Sequence, residues 1–204
     1  MIIGLTGSIA SGKSTVSEML MKKGYPIVDA DLIARKVVEP GTEVTQEIES
    51  VFGTSVLHED GSLNREKLGE AIFTNEEKRN QLNEIMHPAI RREMLRQRDA
   101  HIEADAKVVI MDIPLLFESK LQSYVEKILV VTVSKDVQKI RLMKRNHFTE
   151  QEATDRIASQ LPLEIKEAGA DAVINNDGTL EQTEKQLDAV LRKWGINNSD
   201  SSEL

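Results

Sequence analysis

The feature that most constrains the fold of this chain is a glycine-bounded segment near its N-terminus. The residues Gly7-Ser-Ile-Ala-Ser-Gly12-Lys13-Ser14 fit the pattern G-x-x-x-x-G-K-[ST]. They follow an apolar run at residues 2–6, which is typical of a strand, and lead into residues 14–23, where apolar side chains recur at helical spacing. A strand, a tight loop and a helix in this order predict a phosphate-binding loop, or P-loop.

The residue types of this P-loop each have a physical reason. Glycines at positions 7 and 12 let the backbone curl so that successive N–H groups face phosphate oxygens, and the helix N-terminus adds about half a positive charge. We predict that Lys13 reaches the β- and γ-phosphates and that Ser14 offers its hydroxyl to Mg²⁺. Thr15 can hydrogen-bond a more distal phosphate. The alternative is a glycine-rich turn followed by a serine that starts a helix.

Strand and helix patterns alternate along most of the remaining chain. Further strand patterns occur at residues 25–28, 107–111, 127–133 and 172–174. Further helix patterns occur at residues 32–38, 136–145, 150–159 and 180–194. Residues 43–103 carry only helical patterns, at 43–52, 65–73, 76–86 and 89–102, and are predicted to form a helical insertion. Val/Ile runs alternating with helices indicate an α/β fold, in which a parallel sheet is covered by helices on both faces.

Composition argues against several classes of function. With 26 Lys and Arg against 34 Asp and Glu, the net charge of −8 argues against binding to nucleic acid or to an anionic membrane. The absence of cysteine excludes disulfides, thiolate metal sites and a cysteine nucleophile. No stretch approaches the roughly 20 apolar residues of a membrane span, and the N-terminus lacks a signal-peptide pattern, so we expect a cytoplasmic protein.

Aspartates follow two of the predicted strands, at the sheet edge where the P-loop also ends. Asp29 and Asp31 follow the second strand, and a carboxylate there can accept the proton of a hydroxyl that receives a phosphoryl group. Asp31 is equally well placed to cap the next helix. Asp112 can hold the water shell of Mg²⁺, or it is a turn residue before Pro114.

Four segments together resemble the dephospho-coenzyme A kinase family: the P-loop, Asp29-Ala-Asp31-Leu-Ile-Ala-Arg35, Met86-His87-Pro88 and Asp112-Ile-Pro-Leu-Leu-Phe-Glu118. The resemblance runs from residue 2 to about residue 190. It implies ATP-dependent phosphorylation of the ribose 3′-hydroxyl of dephospho-CoA, with Mg²⁺, in a nucleoside-monophosphate-kinase-like fold. It also implies three domains: a P-loop core at residues 1–32, 106–138 and 161–196, a helical CoA-binding domain at 33–105 and a lid at 139–160. The Ser-, Asn- and acid-rich tail at 197–204 is predicted to be disordered.

The same resemblance assigns roles to individual residues around the two substrates. It makes Asp31 the general base, places Arg35 on the acceptor's side of the cleft, and puts His87 in the region that holds the substrate. The stretch that it implies for binding ATP phosphates comprises Ala10, Ser11, Gly12, Lys13, Ser14 and Thr15. Arg35 is also compatible with a solvated helix surface, and His87, which precedes a proline, with a helix break.

Two further sites near ATP are implied by the family. Asn175 and Asn176 lie near the adenine by resemblance, although they are equally compatible with a turn after the last strand. Arg141 and Arg145 are four residues apart, so they share a helix face, and guanidinium groups suit phosphoryl oxygens. Because the family's lid includes this helix, both arginines are candidate catalytic residues, the alternative being surface cations that face the acidic side chains at 150 and 152. The basic cluster at residues 91–98 is better explained as the solvated face of a long helix.

Two other functions stay compatible with the P-loop. One is a kinase for another small hydroxyl substrate, such as shikimate or gluconate, against which the long helical insertion and D-I-P-L-L-F-E argue. The other is a nucleotide-binding regulator without turnover, against which Lys13, Ser14 and Asp31 argue. The predicted partners are therefore ATP and dephospho-CoA, with no nucleic acid and no membrane, and the sequence leaves the oligomeric state open.

Overall fold

The chain forms one five-stranded sheet in a computed structural model that describes residues 1–73 and 75–197. The strands are β1 (Ile2–Gly7), β2 (Ile27–Asp29), β3 (Val109–Asp112), β4 (Lys127–Thr132) and β5 (Ala172–Asn175). Their order in the sheet is β2-β3-β1-β4-β5, and β1 pairs in parallel with both β3 and β4, as β4 does with β5. The predicted α/β fold with a parallel sheet is confirmed, and all five predicted strands are present.

The described residues form nine α-helices and two short 3-10 helices, the latter at Thr54–Val56 and Gln122–Tyr124. The α-helices are α1 (Lys13–Lys22), α2 (Ala30–Lys36), α3 (Glu43–Phe52), α4 (Arg65–Phe73), α5 (Glu76–Glu103), α6 (Lys135–Asn146), α7 (Glu150–Ala158), α8 (Leu163–Ala168) and α9 (Leu180–Lys193). In the described part of the chain, no helix is both long enough and apolar enough to cross a membrane.

The chain divides into two compact units. Among the described residues, the core unit comprises Met1–Val28 and residues 98–197, and the helical unit comprises Asp29–Gln97. The hydrophobic core of the core unit joins sheet residues to α1 and α9, and includes Ile3, Leu5, Val16, Leu20, Leu129, Val131, Leu187 and Leu191. The helical unit has its own core, which includes Val44, Ile48, Leu68, Leu82 and Ala89. Each unit therefore buries its own apolar surface.

The predicted helix break at Pro88 is wrong. Instead, α5 is a single helix of 28 residues with Pro88 inside it. Proline cannot donate the hydrogen bond to the carbonyl four residues earlier, which costs stability but need not end a long helix. Leu82 and Ala89, on either side of Pro88, are both buried in the core of the helical unit, and this packing holds the helix together.

The helix α8 was not predicted, and it carries the most deeply buried charge of the described chain. Its six residues are too few to show helical periodicity in the sequence. The side chain of Lys166 is fully buried, and its Nζ lies 2.8 Å from Glu118 Oε1. The same carboxylate oxygen accepts a hydrogen bond from the backbone N–H of Leu161 at 3.2 Å. An ion pair therefore ties α8 to the segment that follows β3.

We expect Lys166→Ala to lower the free energy of unfolding by about 3 kcal/mol, because the Glu118 carboxylate loses its cation and a cavity is left. Urea denaturation of the two proteins measures the difference. The matched control is Lys185→Ala, whose ion pair with Glu181 has side chains 73% and 76% exposed, and it should cost less than about 0.5 kcal/mol. Equal losses in the two variants would show that burial of the Lys166 pair contributes nothing.

Candidate active site

The P-loop connects β1 to α1, as predicted, and two of its residues have a left-handed backbone conformation. Gly12 has φ 87° and Ala10 has φ 60°, both in the left-handed region. An alanine in this conformation is strained, and such strain is typical of loops held in shape by their surroundings. Left-handed residues within a turn direct successive N–H groups to one side, which creates a concavity for an anion. The backbone of residues 7–13 therefore has the form of an anion site.

Glycine is required at both ends of this loop. A Cβ at Gly7 would lie 2.6 Å from Ser11 Oγ and 2.7 Å from the carbonyl oxygen of Val131, so no side chain fits there. Gly12 is the N-cap of α1, and no side chain accepts a hydrogen bond from the first turn of that helix. The positive end of the α1 dipole is therefore not capped by a side chain, and the exposed Ser14 lies in the first turn.

Lys13 and Asp112 form an ion pair beside the P-loop. Lys13 Nζ donates a hydrogen bond to Asp112 Oδ1. Asp112 is the last residue of β3, and β3 is the parallel neighbour of β1, so both residues arise at the same edge of the sheet. The Asp112 side chain is 5% exposed and that of Lys13 is 18% exposed. The structure thus brings together the predicted phosphate-binding lysine and the predicted acidic residue.

Two glutamines hold the P-loop at Ile9. The backbone N–H of Ile9 donates to Gln160 Oε1 at 2.8 Å, and the Ile9 carbonyl accepts from Gln138 Nε2 at 2.8 Å. Gln138 lies in α6 and is buried, whereas Gln160 follows α7. Sequence reasoning missed both residues, because a glutamine that pairs with a backbone more than a hundred positions away leaves no local pattern.

The two candidate arginines of α6 have different surroundings. Arg141 is half-buried, and its Nη2 donates to the carbonyl oxygen of Asn176 at 2.9 Å. Arg145 is exposed and donates to the side chain of its neighbour Asn146. The alternative for these arginines was that they are surface cations facing acidic side chains. In α6 it is Lys139 that has such a contact, since it pairs with Glu150. Arg141 is therefore the α6 cation that the structure places by the end of β5.

Asn175 and Asn176, which follow one another at the end of β5, also differ. Asn175 is exposed, and its Oδ1 accepts from the backbone N–H of Asp177, so it forms the turn that the sequence predicts. Asn176 is buried and its amide group bonds to protein atoms, the carbonyl of Ser11 and the hydroxyl of Thr183. The sequence did not indicate that Thr183 is a hydrogen-bond partner of Asn176.

In the helical unit, α2 begins earlier than predicted. Its N-cap is Asp29, whose Oδ1 accepts a hydrogen bond from the backbone N–H of Leu32 at 2.9 Å. The alternative in which Asp31 caps this helix is therefore wrong, because the aspartate two residues earlier already does so. Asp31 and Arg35 are both exposed on α2, and their spacing of four residues puts them on one face.

The basic cluster of α5 is partly neutralised within the helix. Arg96 pairs with Glu93, and Arg98 pairs with Asp99. Hydrogen bonds from Arg96 lower the pKa of Glu93 to about 2. Partial desolvation of the imidazole, and after it the positive charge of Arg91, lowers the pKa of His87.

The chain is similar to known proteins over nearly all of its length. The family model described as dephospho-CoA kinase matches residues 1–182. The dephospho-CoA kinase of Bacillus anthracis is 58% identical over 195 residues, which cover 96% of this chain and 98% of that protein. A crystal structure from Thermus thermophilus has a TM-score of 0.81 at 33% identity and covers 95% of this chain and 97% of its own. The dephospho-CoA kinase structure from Campylobacter jejuni has a TM-score of 0.73 at 29% identity and covers 95% and 96%.

Proposed function

Since this chain belongs to the dephospho-coenzyme A kinase family, we propose that the P-loop, Asp31 and Arg141 divide the steps of phosphoryl transfer among them. The reaction is the ATP-dependent phosphorylation of the ribose 3′-hydroxyl of dephospho-CoA, which gives CoA and ADP and completes CoA biosynthesis. The bond from the γ-phosphorus to the β–γ bridging oxygen breaks, a bond to the 3′-oxygen forms, and the hydroxyl proton leaves. The protein must therefore bind phosphates, balance their charge and accept one proton.

The phosphates of ATP bind the P-loop in this proposal. The binding stretch runs from Ala10 through Ser11, Gly12, Lys13 and Ser14 to Thr15. Its support is the pair of left-handed residues at 10 and 12, together with the first turn of α1, which no side chain caps. Anionic oxygens placed there can accept hydrogen bonds from backbone N–H groups of the loop and of the first turn of α1.

Lys13 and Arg141 balance the charge that spreads over the transferring phosphoryl group. Lys13 is part of the P-loop and the first residue of α1, and the Nη1 atom of Arg141 is 3.7 Å from the position that a Cβ at Gly12 would take. Arg145, on the same helix, is proposed as a second contact that depends on movement of the lid. A guanidinium group suits this task because its planar donors match phosphoryl oxygens.

Asp31 acts as the general base. The support for this role is that Asp29 already caps α2, so the exposed Asp31 carboxylate is not needed to start the helix. It takes the proton of the 3′-hydroxyl as the new phosphorus–oxygen bond forms, because an alcohol oxygen cannot stay protonated in the product ester. Arg35, on the same face of α2, is proposed to bind the acceptor substrate.

Ser14 and Asp112 are the residues that we propose for Mg²⁺. A hydroxyl and a carboxylate are the oxygen donors that this ion prefers, and phosphates and water complete its shell in kinases. Within residues 1–73 and 75–197, no group of three or more His, Asp and Glu side chains is arranged to hold a metal ion, which fits an ion that depends on bound phosphates. When bound there, Mg²⁺ would supply positive charge that offsets the charge of the phosphoryl oxygens.

The functional domains follow the family pattern in this proposal. Residues 33–105 form the CoA-binding domain, with His87 toward the substrate, residues 139–160 form the lid, and the P-loop core comprises 1–32, 106–138 and 161–196. Asn175 and Asn176 are proposed neighbours of the adenine. The enzyme is proposed to work in the cytoplasm, where ATP is regenerated.

The observation that carries this proposal is the Lys13–Asp112 pair next to a helix N-terminus that no side chain caps. The test measures ADP release from purified protein with Mg-ATP and, in parallel, dephospho-CoA, shikimate, gluconate or no acceptor. We expect turnover only with dephospho-CoA, and a product whose mass is that of CoA. Turnover with shikimate or gluconate alone, or ATP binding without acceptor-dependent turnover, would contradict the proposal.

A further inference from the structure

Asn176 occupies a fixed position between the sheet and the P-loop. It follows β5 directly, and its backbone N–H donates to the carbonyl oxygen of Thr132, at the end of β4, at 2.8 Å. The residue is 5% exposed, whereas Asn175 and Asp177 on either side are exposed. A buried amide must satisfy its own donors and acceptor inside the protein, so the partners of this side chain carry information about its role.

Both ends of the Asn176 side chain are hydrogen-bonded. Its Nδ2 donates to the carbonyl oxygen of Ser11 at 2.9 Å, and its Oδ1 accepts from the Thr183 hydroxyl at 2.8 Å. The carbonyl of Ser11 can only accept, so the nitrogen end of the amide must face the P-loop. Thr183 is fully buried in α9, and it therefore orients the amide from the side opposite to the P-loop.

The bond to Ser11 controls the direction of a P-loop N–H group. A trans peptide unit is planar, and its C=O and N–H point in opposite directions. When Asn176 holds the Ser11 carbonyl on one side, the N–H of Gly12 must point to the other side. Gly12 is also the N-cap of α1, so this N–H belongs to the group of donors at the helix N-terminus.

The approach of Asn176 to the P-loop leaves no space for a side chain at position 12. A Cβ built on Gly12 would collide with Asn176 Nδ2. Glycine is therefore required at this position for two reasons, its φ of 87° and the contact with the amide. The structure uses this glycine to bring a side chain of the β5 edge against the backbone of the phosphate loop.

The backbone of Asn176 has a second, separate contact. Its carbonyl oxygen accepts the hydrogen bond from Arg141 Nη2. Replacing the side chain leaves this carbonyl in place. A side-chain variant therefore removes the contact with the P-loop while the acceptor for the α6 arginine stays.

We propose that Asn176 is a positioning residue for the nucleotide: its amide, oriented by Thr183, holds the Ser11 carbonyl so that the Gly12 N–H is directed toward the bound phosphates. This inference rests on the proposed binding of ATP at the P-loop. It assigns to Asn176 a role through Ser11 and Gly12 that differs from contact with the adenine. A donor held in place before binding lowers the cost of ordering the loop, so its loss weakens nucleotide binding.

The experiment compares Asn176→Ala, Asn176→Asp and Thr183→Val with the unmodified enzyme. The readouts are the Kd of ADP by calorimetry, the KM of each substrate, kcat and the melting temperature. We expect Asn176→Ala to weaken ADP binding and raise the KM for ATP by about tenfold or more, because the Ser11 carbonyl loses its donor. The KM for dephospho-CoA should stay within about twofold, which a general loss of structure would not produce.

Asn176→Asp separates the two ends of the amide. An aspartate keeps the oxygen that accepts from Thr183 but replaces the donor to Ser11 by an acceptor. We expect it to bind ADP as weakly as Asn176→Ala or more weakly, and recovery to the unmodified affinity would overturn the inference. Thr183→Val, which preserves the side-chain shape, should weaken ADP binding by about threefold, and it decides the question if Asn176→Ala does not fold.

Two further variants complete the design. Arg192→Ala, at an exposed position near the C-terminal end of α9, is the control and should leave all constants unchanged. Lys13→Ala tests the underlying proposal in the same assays. Weak ADP binding in Lys13→Ala together with unchanged binding in Asn176→Ala overturns the inference and leaves the P-loop proposal standing. Unchanged binding in both variants overturns the P-loop proposal, and the inference with it.

Discussion

Replacing Asp31 by asparagine is expected to lower kcat by at least ~100-fold while the KM for ATP changes by less than about threefold. The amide keeps the size of the carboxylate and its place on α2, but it cannot accept the proton of the 3′-hydroxyl at neutral pH. Because Asp29 holds the helix N-terminus, the fold should be unaffected. Steady-state kinetics with Mg-ATP and dephospho-CoA, together with the melting temperature, make the measurement.

The matched control for this variant is Asp29→Asn. Asparagine caps helices about as well as aspartate, so the hydrogen bond to the Leu32 N–H is retained and both stability and kcat should stay near those of the unmodified enzyme. The two variants make the same chemical change two residues apart. Turnover of Asp31→Asn within a few-fold of the unmodified enzyme would rule out its role as the base.

Lys13→Ala is expected to lower kcat by at least ~100-fold and to raise the KM for ATP. The lysine is proposed to act on both the bound phosphates and the transferring group, so the loss should appear in both constants. The same change removes the ion pair with Asp112, a carboxylate that is 5% exposed, and should lower the free energy of unfolding of the nucleotide-free enzyme by about 1–3 kcal/mol.

A double variant separates these two effects of Lys13. In Lys13→Ala/Asp112→Asn the carboxylate that faced Lys13 is itself neutralised, so most of the lost stability should return while activity stays low. Lys22→Ala, at the exposed C-terminal end of the same helix, is the control and should change neither constant. Recovery of activity in the double variant would show that the lysine has only a structural role.

The sequence predicted the core of the fold because its signals are local. Five apolar runs became five strands, and one short pattern located the P-loop between β1 and α1. One error arose where tertiary packing outweighs local preference, and the other where two nearby aspartates compete to cap the same helix. Pro88 stays inside α5 because residues on both sides of it are buried, and α2 begins at Ala30 because Asp29, two residues before the predicted cap, accepts the Leu32 N–H.

Residues that support the P-loop from a distance left no sequence signal. Gln138, Gln160, Asn176 and Thr183 all bond to polar groups that lie far along the chain or in another element. Buried glutamine, asparagine and threonine have no spacing that separates them from surface residues of the same type. Asn176 was predicted for its proximity to the nucleotide, and only the structure shows which protein groups its amide binds.

Both ends of the segment between Gln138 and Gln160 are hydrogen-bonded to the backbone of Ile9, and this affects how the length of the segment can vary. Gln138 and Gln160 bond to the two backbone groups of a single residue, so the intervening chain leaves and returns at one point. Lengthening a segment whose ends are pinned together costs little free energy. Insertions in the short connection between α6 and α7, at residues 147–148, are therefore expected to be tolerated while the phosphate loop keeps its geometry and Arg141 keeps its hydrogen bond to Asn176.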